Sequence, residues 1–184
     1  MTVESGRLPA EGVQRMFDRI APRWDSVRGP DSLAPLTAAL ERLPSPPSRV
    51  LDLGTGTGAA ARLAAERFPD ATIVGVDLAE RMVEEARSKT SSERITYRQG
   101  DAEKLPFEDG AFDLVMLSNM IPFFAELGRV VEPQGHVVIA FSGGSGTPIY
   151  VATERLRSEL TRRGFLEFAE VSAGRGTAFL ARKS

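Results

Sequence analysis

Three glycines and three aspartates are the residues of this chain whose types and spacing suggest chemistry. Val50-Leu-Asp-Leu-Gly-Thr-Gly-Thr-Gly58 runs an apolar stretch directly into Gly54, Gly56 and Gly58. Glycine tolerates positive φ and brings backbone amides close to a ligand with no Cβ in the way. Asp52 stands just before the first glycine, close to whatever enters the loop. Asp77 follows the loop by about 20 residues, where a carboxylate can accept both hydroxyls of a ribose. Asp101, in Gly100-Asp-Ala-Glu-Lys-Leu-Pro-Phe107, ends a third apolar stretch and can accept from an adenine amino group. Taken singly, the loop also reads as a ligand-free turn, and each acid as a solvated strand end or a helix cap. Together, three carboxylates repel a pyrophosphate and favour a ligand with a cationic portion.

The elements that must position these residues follow from apolar periodicity. Strands are expected at Val50–Leu53, Thr72–Asp77, Ile95–Gln99, Phe112–Leu117 and Val137–Phe141. Helices are expected at Gly58–Phe68, Ala79–Lys89, Phe123–Val131 and Ile149–Arg163. Such alternation implies right-handed crossovers and a mainly parallel sheet whose carboxyl edge holds the loop. The chain then changes pattern: Phe165–Val171 and Thr177–Ala181 are strands joined by Ser172-Ala-Gly-Arg-Gly176, a connection suited to a hairpin. The expected fold is α/β, a Rossmann-like, mainly parallel, seven-stranded sheet with helices on both faces and an antiparallel C-terminal hairpin. Residues 1–47 read as a helical accessory or lid segment before the main domain at 48–184. Within that segment Met1 to Gly12 is polar and expected to be mobile. Val13–Ile20 reads as a short amphipathic helix, and Leu33–Leu43 as a second helix capped by Asp31 or Ser32 and ended by Pro44-Ser-Pro-Pro47.

Composition removes several functions. The 184 residues carry a net charge of −2 and no cysteine. Nucleic acid is therefore not an expected partner, and thiolate metal sites and cysteine nucleophiles are excluded. No metal site, Ser-His-Asp set or Walker-type loop is expected. The single histidine, His136, begins a strand, opposite the ligand edge, and reads as structural or superficial. Gly143–Gly146 reads as a flexible connector. No apolar run approaches the roughly 20 residues a bilayer requires. A cytoplasmic protein is expected, with homodimerisation left open.

The ordered segments Leu51-Asp-Leu-Gly-Thr-Gly-Thr-Gly58, Gly75-Val-Asp-Leu78, Gly100-Asp-Ala-Glu-Lys-Leu-Pro-Phe107, Phe112-Asp-Leu-Val115 and Val131-Glu-Pro-Gln-Gly135 resemble the motifs of class I S-adenosylmethionine-dependent methyltransferases. Met16-Phe-Asp-Arg-Ile-Ala-Pro-Arg-Trp-Asp25 resembles the opening of the ubiquinone/menaquinone C-methyltransferase group, with Trp24 where tyrosine is usual. The resemblance implies an enzyme that uses S-adenosylmethionine, releases S-adenosylhomocysteine and methylates an acceptor expected to be a small molecule. It implies that Gly54, Thr55, Gly56 and Gly58 cradle the methionine portion while Asp52 helps hold its ammonium group. Asp77 would bind the ribose, Leu78 and Met82 would pack near adenine, and Asp101 with the Ala102 amide would read the base. Met82 also reads simply as core. Ser118 and Asn119 would border the methyl group and the acceptor. Two departures stand out. Gln134-Gly135 replaces a pair of glycines, and the connections Asn119–Val131 and Ser142–Pro148 are short where relatives often carry a substrate-covering insertion. The segment Phe17–Asp25, anchored by Trp24, is accordingly expected to form a movable cover.

Two rival readings follow from the same residues. Gly54-x-Gly56-x-x-Ala59 formally satisfies the fingerprint of an NAD(P)-binding oxidoreductase, against which Asp52, Asp101 and the terminal hairpin weigh. The short loops also suit a non-catalytic cofactor-binding module that acts through a protein partner.

Overall fold

The protein, described by a computed structural model, is defined at residues 10–27, 29 and 31–184. The expected mobility of Met1–Gly12 falls largely outside these residues. The chain begins with α1 (Ala10–Ile20), a 3-10 turn at Ala21–Arg23, α2 (Trp24–Val27) and α3 (Ala34–Leu40). The sheet then builds from β1 (Arg49–Leu53), α4 (Ala59–Arg67), β2 (Thr72–Asp77), α5 (Glu80–Ser88), β3 (Ile95–Gln99) and β4 (Phe112–Ser118). It finishes with α6 (Phe124–Val130), β5 (Val131–Phe141), α7 (Thr153–Thr161), β6 (Phe165–Ala173) and β7 (Gly176–Lys183).

The seven strands run in the order β3-β2-β1-β4-β5-β7-β6. The first five are mutually parallel, and β7 pairs antiparallel with both β5 and β6. This is the expected Rossmann-like sheet with its terminal hairpin. Strand order reverses direction at β1 and β4, the switch point where such sheets open a crevice.

Both faces of the sheet are covered, so its central strands are apolar along their whole length rather than alternating. On one face α3, α4 and α5 bury Leu36, Leu40, Ala61, Ala64 and Val83 against Val50, Leu114 and Met116. On the other, α6 and α7 bury Leu127, Leu156 and Leu160 against Leu51, Leu117 and Phe165. Helix α4 is mostly alanine, the best helix former, and its small side chains let it sit close to the sheet. The described residues ahead of β1 pack in two places: α3 joins this core, whereas α1 and the turn after it lie along α5 around Ala21, Ala79 and Met82.

Several boundaries differ from those expected. Strand β5 starts at Val131 instead of Val137, and its register against β4 shifts between Phe112 and Leu114. The Pro133-Gln-Gly135 stretch disguises this part of the strand. Gln134 takes φ +68 there, a conformation in which glycine is at ease and a side chain is strained. Helix α7 begins only at Thr153, because Ile149, Tyr150 and Val151 pack sideways onto the core and Tyr150 meets Phe141 edge to face. Neither Asp31 nor Ser32 caps α3: Leu33 holds the N-cap without a side-chain hydrogen bond, and the helix stops at Leu40.

Candidate functional site

Strand register aligns the singled-out residues along one edge. Leu53 pairs with Val76 on β2 and with Leu117 on β4, and Asp77 pairs with Gln99 on β3. The carboxyl ends of β3, β2, β1 and β4 therefore present Asp101, Asp77, the glycine loop and Ser118–Asn119 in that spatial order. Strands lie about 4.8 Å apart, so the row spans about 14 Å.

The loop is held from below. The amides of Gly54 and Thr55 both donate to the Val76 carbonyl, at 2.8 and 3.0 Å, and the Gly58 amide closes the turn onto the Thr55 carbonyl at 2.9 Å. Gly54, Gly56 and Gly58 have φ of +67, +54 and +81, so all three use the left-handed region that glycine favours. Asp52 is buried beneath this turn and its Oδ2 accepts the Thr55 hydroxyl at 2.7 Å.

Asp77 stands beside the loop. One carboxylate oxygen accepts the Gly56 amide at 2.8 Å and the other accepts the Ala79 amide at 2.9 Å. Burial pushes its carboxyl above the ordinary aspartate range, outweighing these two amides, which favour the charged form. Asp101 is exposed and its Oδ1 accepts the Glu103 amide at 2.8 Å, while the neighbouring Ala102 is buried with Val76 and Leu105. The Leu78 carbonyl accepts Gln99 Nε2 at 3.1 Å. Met82 is almost fully buried and packs with Ala21, Ala79, Phe17, Ile20 and Trp24, which answers to its core reading.

At the far end of the row, Asn119 adopts φ +54 and its Oδ1 accepts both the amide and the hydroxyl of Ser142, at 2.9 and 3.1 Å. These bonds tie the ends of β4 and β5 together. The Ser118 hydroxyl is buried with no hydrogen-bond partner among the described residues. A buried hydroxyl left unpaired is costly, so one at the carboxyl end of β4 is suited to a partner that arrives with a ligand.

The segment expected as a cover lies over the loop. A Cβ on Gly56 would come within 3.2 Å of the Trp24 indole nitrogen, and Phe17 meets the Trp24 ring edge to face. Asp25 accepts the Thr57 hydroxyl and the Lys89 ammonium. Asp18 accepts the Arg81 amide in the first turn of α5. Sequence reasoning missed Met120, whose sulfur would be 2.6 Å from a Cβ on Gly54, and Tyr97, which lies under the loop. The first has no signal beyond its place after β4; the second is visible only through the register of β3.

His136 lies at the opposite edge, at the start of the β5–β7 pairing beside Arg182, and burial pushes its imidazole below the ordinary histidine range. Two open grooves, of about 550 and 540 Å³, also lie away from the glycine loop, one along α7 and β6 and the other around His136, Phe168 and Arg182. Their lining contains none of the aligned residues. Among the described residues, no group of three or more His, Asp or Glu could hold a metal ion, and no helix is long and apolar enough to cross a membrane.

Residues 50–135 match the family described as the methyltransferase domain. A demethylmenaquinone methyltransferase of Deinococcus radiodurans is 38% identical over 143 residues, covering 70% of this chain and 59% of that protein. The chain thus spans less than two thirds of the length of this curated relative. Among solved structures, a Haloferax volcanii methyltransferase in complex with its activator superposes with a TM-score of 0.78 at 19% identity, covering 91% of this chain and 97% of its own. The Haemonchus contortus phosphoethanolamine N-methyltransferase 2, solved with S-adenosylmethionine, gives 0.76 at 20% identity, covering 97% of this chain and 60% of its own.

Proposed function

Because the chain carries a class I S-adenosylmethionine-dependent methyltransferase domain, we propose that it transfers the methyl group of S-adenosylmethionine to a small-molecule acceptor and releases S-adenosylhomocysteine. The observation that carries this reading is the row of residues across β3-β2-β1-β4, which matches an adenosine bearing an amino-acid tail, laid from base to reacting end. Asp101 and the Ala102 amide face the base, Asp77 the ribose hydroxyls, and Asp52 with Gly54, Thr55, Gly56 and Gly58 the methionine portion. Leu78 and Met82 flank the adenine side, and Ser118 and Asn119 stand where the methyl group meets the acceptor. The orphaned Ser118 hydroxyl and the half-buried Asp77 carboxylate both fit such a ligand, since each gains hydrogen bonds from it.

When bound, S-adenosylmethionine supplies a methyl group already activated by its sulfonium. What remains for the protein is alignment, an effect worth up to about 7–11 kcal/mol in favourable cases. The rigid tie between Asn119 and Ser142 holds the reacting end of the edge in place. The segment Phe17–Asp25 serves as a cover that excludes water, with Trp24 supplying large apolar area at low entropic cost. The relatives' names give demethylmenaquinone and phosphoethanolamine, which supports a small acceptor.

Trp24 is the single tryptophan of the chain, so intrinsic emission reports on the cover alone. Titrating S-adenosylhomocysteine should shift or quench that emission, and a panel of quinol, phenol and amine acceptors should show turnover with S-adenosylmethionine. Saturating emission without turnover favours the non-catalytic module. Emission that responds to reduced nicotinamide dinucleotide and ignores S-adenosylhomocysteine overturns the proposal.

A further inference from the structure

We infer that Tyr97, which no motif points to, is a positioning residue that sets the shape of the glycine loop and thereby the affinity for the cofactor; this rests on the function proposed above. Tyr97 is the central residue of β3 and is buried. Its register places it opposite Gly75 on β2. A Cβ on Gly75 would lie 2.6 Å from the Tyr97 ring and 2.7 Å from the Thr55 hydroxyl oxygen, so the ring occupies the space that a side chain would take there. The ring continues beneath the third glycine of the loop: a Cβ on Gly58 would lie 2.8 Å from Cζ and run into the phenolic oxygen.

Tyr97 therefore wedges between two glycines, one on the neighbouring strand and one in the loop. Gly58 has two reasons to be glycine, its φ of +81 and this aromatic contact from below. A ligand approaching from above is required for neither.

The polar end of the ring completes the device. The phenolic oxygen meets the Thr90 hydroxyl at 3.0 Å and makes a long hydrogen bond of 3.4 Å to the Gly58 carbonyl. Arg62 donates to the Thr57 carbonyl at 2.8 Å. The Thr57 carbonyl is thus held by the Arg62 side chain, and the Gly58 carbonyl by the Arg62 amide at 3.0 Å, as the first acceptor of α4, and by Tyr97. A peptide unit is planar, so fixing its carbonyl fixes the direction of the amide on its other side. With the Thr57 and Gly58 carbonyls fixed, the loop cannot rotate its peptides without leaving buried groups unpaired. The cradle is shaped before any ligand arrives, which reduces the ordering cost of binding.

The test is calorimetric titration of the full chain with S-adenosylhomocysteine, comparing Tyr97→Phe, Tyr97→Leu and a remote core variant, Leu160→Ala. Tyr97→Phe keeps the wedge and loses the hydroxyl, so its Kd should rise about two- to ten-fold, the scale of one net hydrogen bond. Tyr97→Leu loses the wedge as well and should bind more weakly still, with phenylalanine recovering most of the difference. Leu160→Ala, on α7 and buried against the opposite face of the sheet, should lower thermal stability and leave Kd unchanged. The inference is overturned if both Tyr97 variants bind as the parent does, or if Leu160→Ala weakens binding as much as they do. Should Tyr97→Leu fail to fold, Tyr97→Phe alone decides. A parent chain that binds no S-adenosylhomocysteine overturns the proposed function and this inference together, which separates the two failures.

Discussion

The two halves of the sheet solve different problems. The half made of β3, β2, β1 and β4 ends in left-handed glycines, a desolvated aspartate and an orphaned hydroxyl, features that cost stability in the free protein. The half made of β5, β7 and β6 also has left-handed residues, at Gln134, Gly144, Gly164 and Gly174, but among the described residues no buried polar side-chain atom there lacks a partner; it buries Phe141, Phe165, Phe179 and Ala181, and lays exposed ion pairs such as Arg182–Glu167 over its surface. The unpaired and desolvated polar groups gather at the edge proposed above to receive the ligand, where it can repay them.

The most disruptive way to probe that contrast is Phe165→Ala in the hairpin half. Phe165 is fully buried, so the loss should be about 3–5 kcal/mol of stability by chemical denaturation. Affinity for S-adenosylhomocysteine in the fraction that remains folded should hardly change. A large loss of affinity at full folding would show that the halves are coupled.

Asp77→Ala should do the reverse. Affinity should fall by about 2–4 kcal/mol, the scale of losing charge-assisted hydrogen bonds to two hydroxyls, while the fold persists. The pH dependence sharpens this. Because burial holds the Asp77 carboxyl above the ordinary aspartate range, it protonates early as pH falls. Affinity of the parent should therefore be full at neutral pH and decline as pH drops through that raised value, and Asp77→Ala should abolish the decline. For the free protein the sign is opposite: the native state holds this proton more tightly than the unfolded chain, so Asp77 subtracts stability as pH rises through the same value. Calorimetry across pH, showing parallel curves for parent and variant, would remove Asp77 from the site.

Asp101→Asn should have the smallest effect of the three, about 1 kcal/mol or less, because the carboxylate is exposed and already accepts the Glu103 amide. Adenosine analogues lacking the exocyclic amine should show little further loss in this variant. Full additivity of the two losses would place the base elsewhere.

Much of this was legible before any coordinates. Thr72–Asp77 and Ile95–Gln99 are found with the bounds that periodicity predicts: the first is a short, mostly buried run between turn residues, and the second is an edge strand whose buried Ile95 and Tyr97 alternate with exposed residues. The extra turns of β5 were not legible, since Pro133, Gln134 and Gly135 read as a break while strand pairing carries the backbone through them. The start of α7 was missed for a related reason: Ile149 and Tyr150 fit a helical stripe, yet their contact with the core and Phe141 is worth more to the chain than another helical turn.

The sequence alone determined the site's alphabet: three glycines that free the backbone, three aspartates spaced one strand apart, and an aromatic segment ahead of them. Those follow from local rules, namely which φ a residue tolerates and where an apolar run must end. Only the tertiary structure decided how the alphabet is arranged. It placed Asp52 beneath the loop, laid Trp24 over Gly56, left the Ser118 hydroxyl without a described partner and slid Tyr97 under Gly58 and Gly75. These depend on contacts between residues tens of positions apart, set by strand register and packing volume, and no local pattern encodes them.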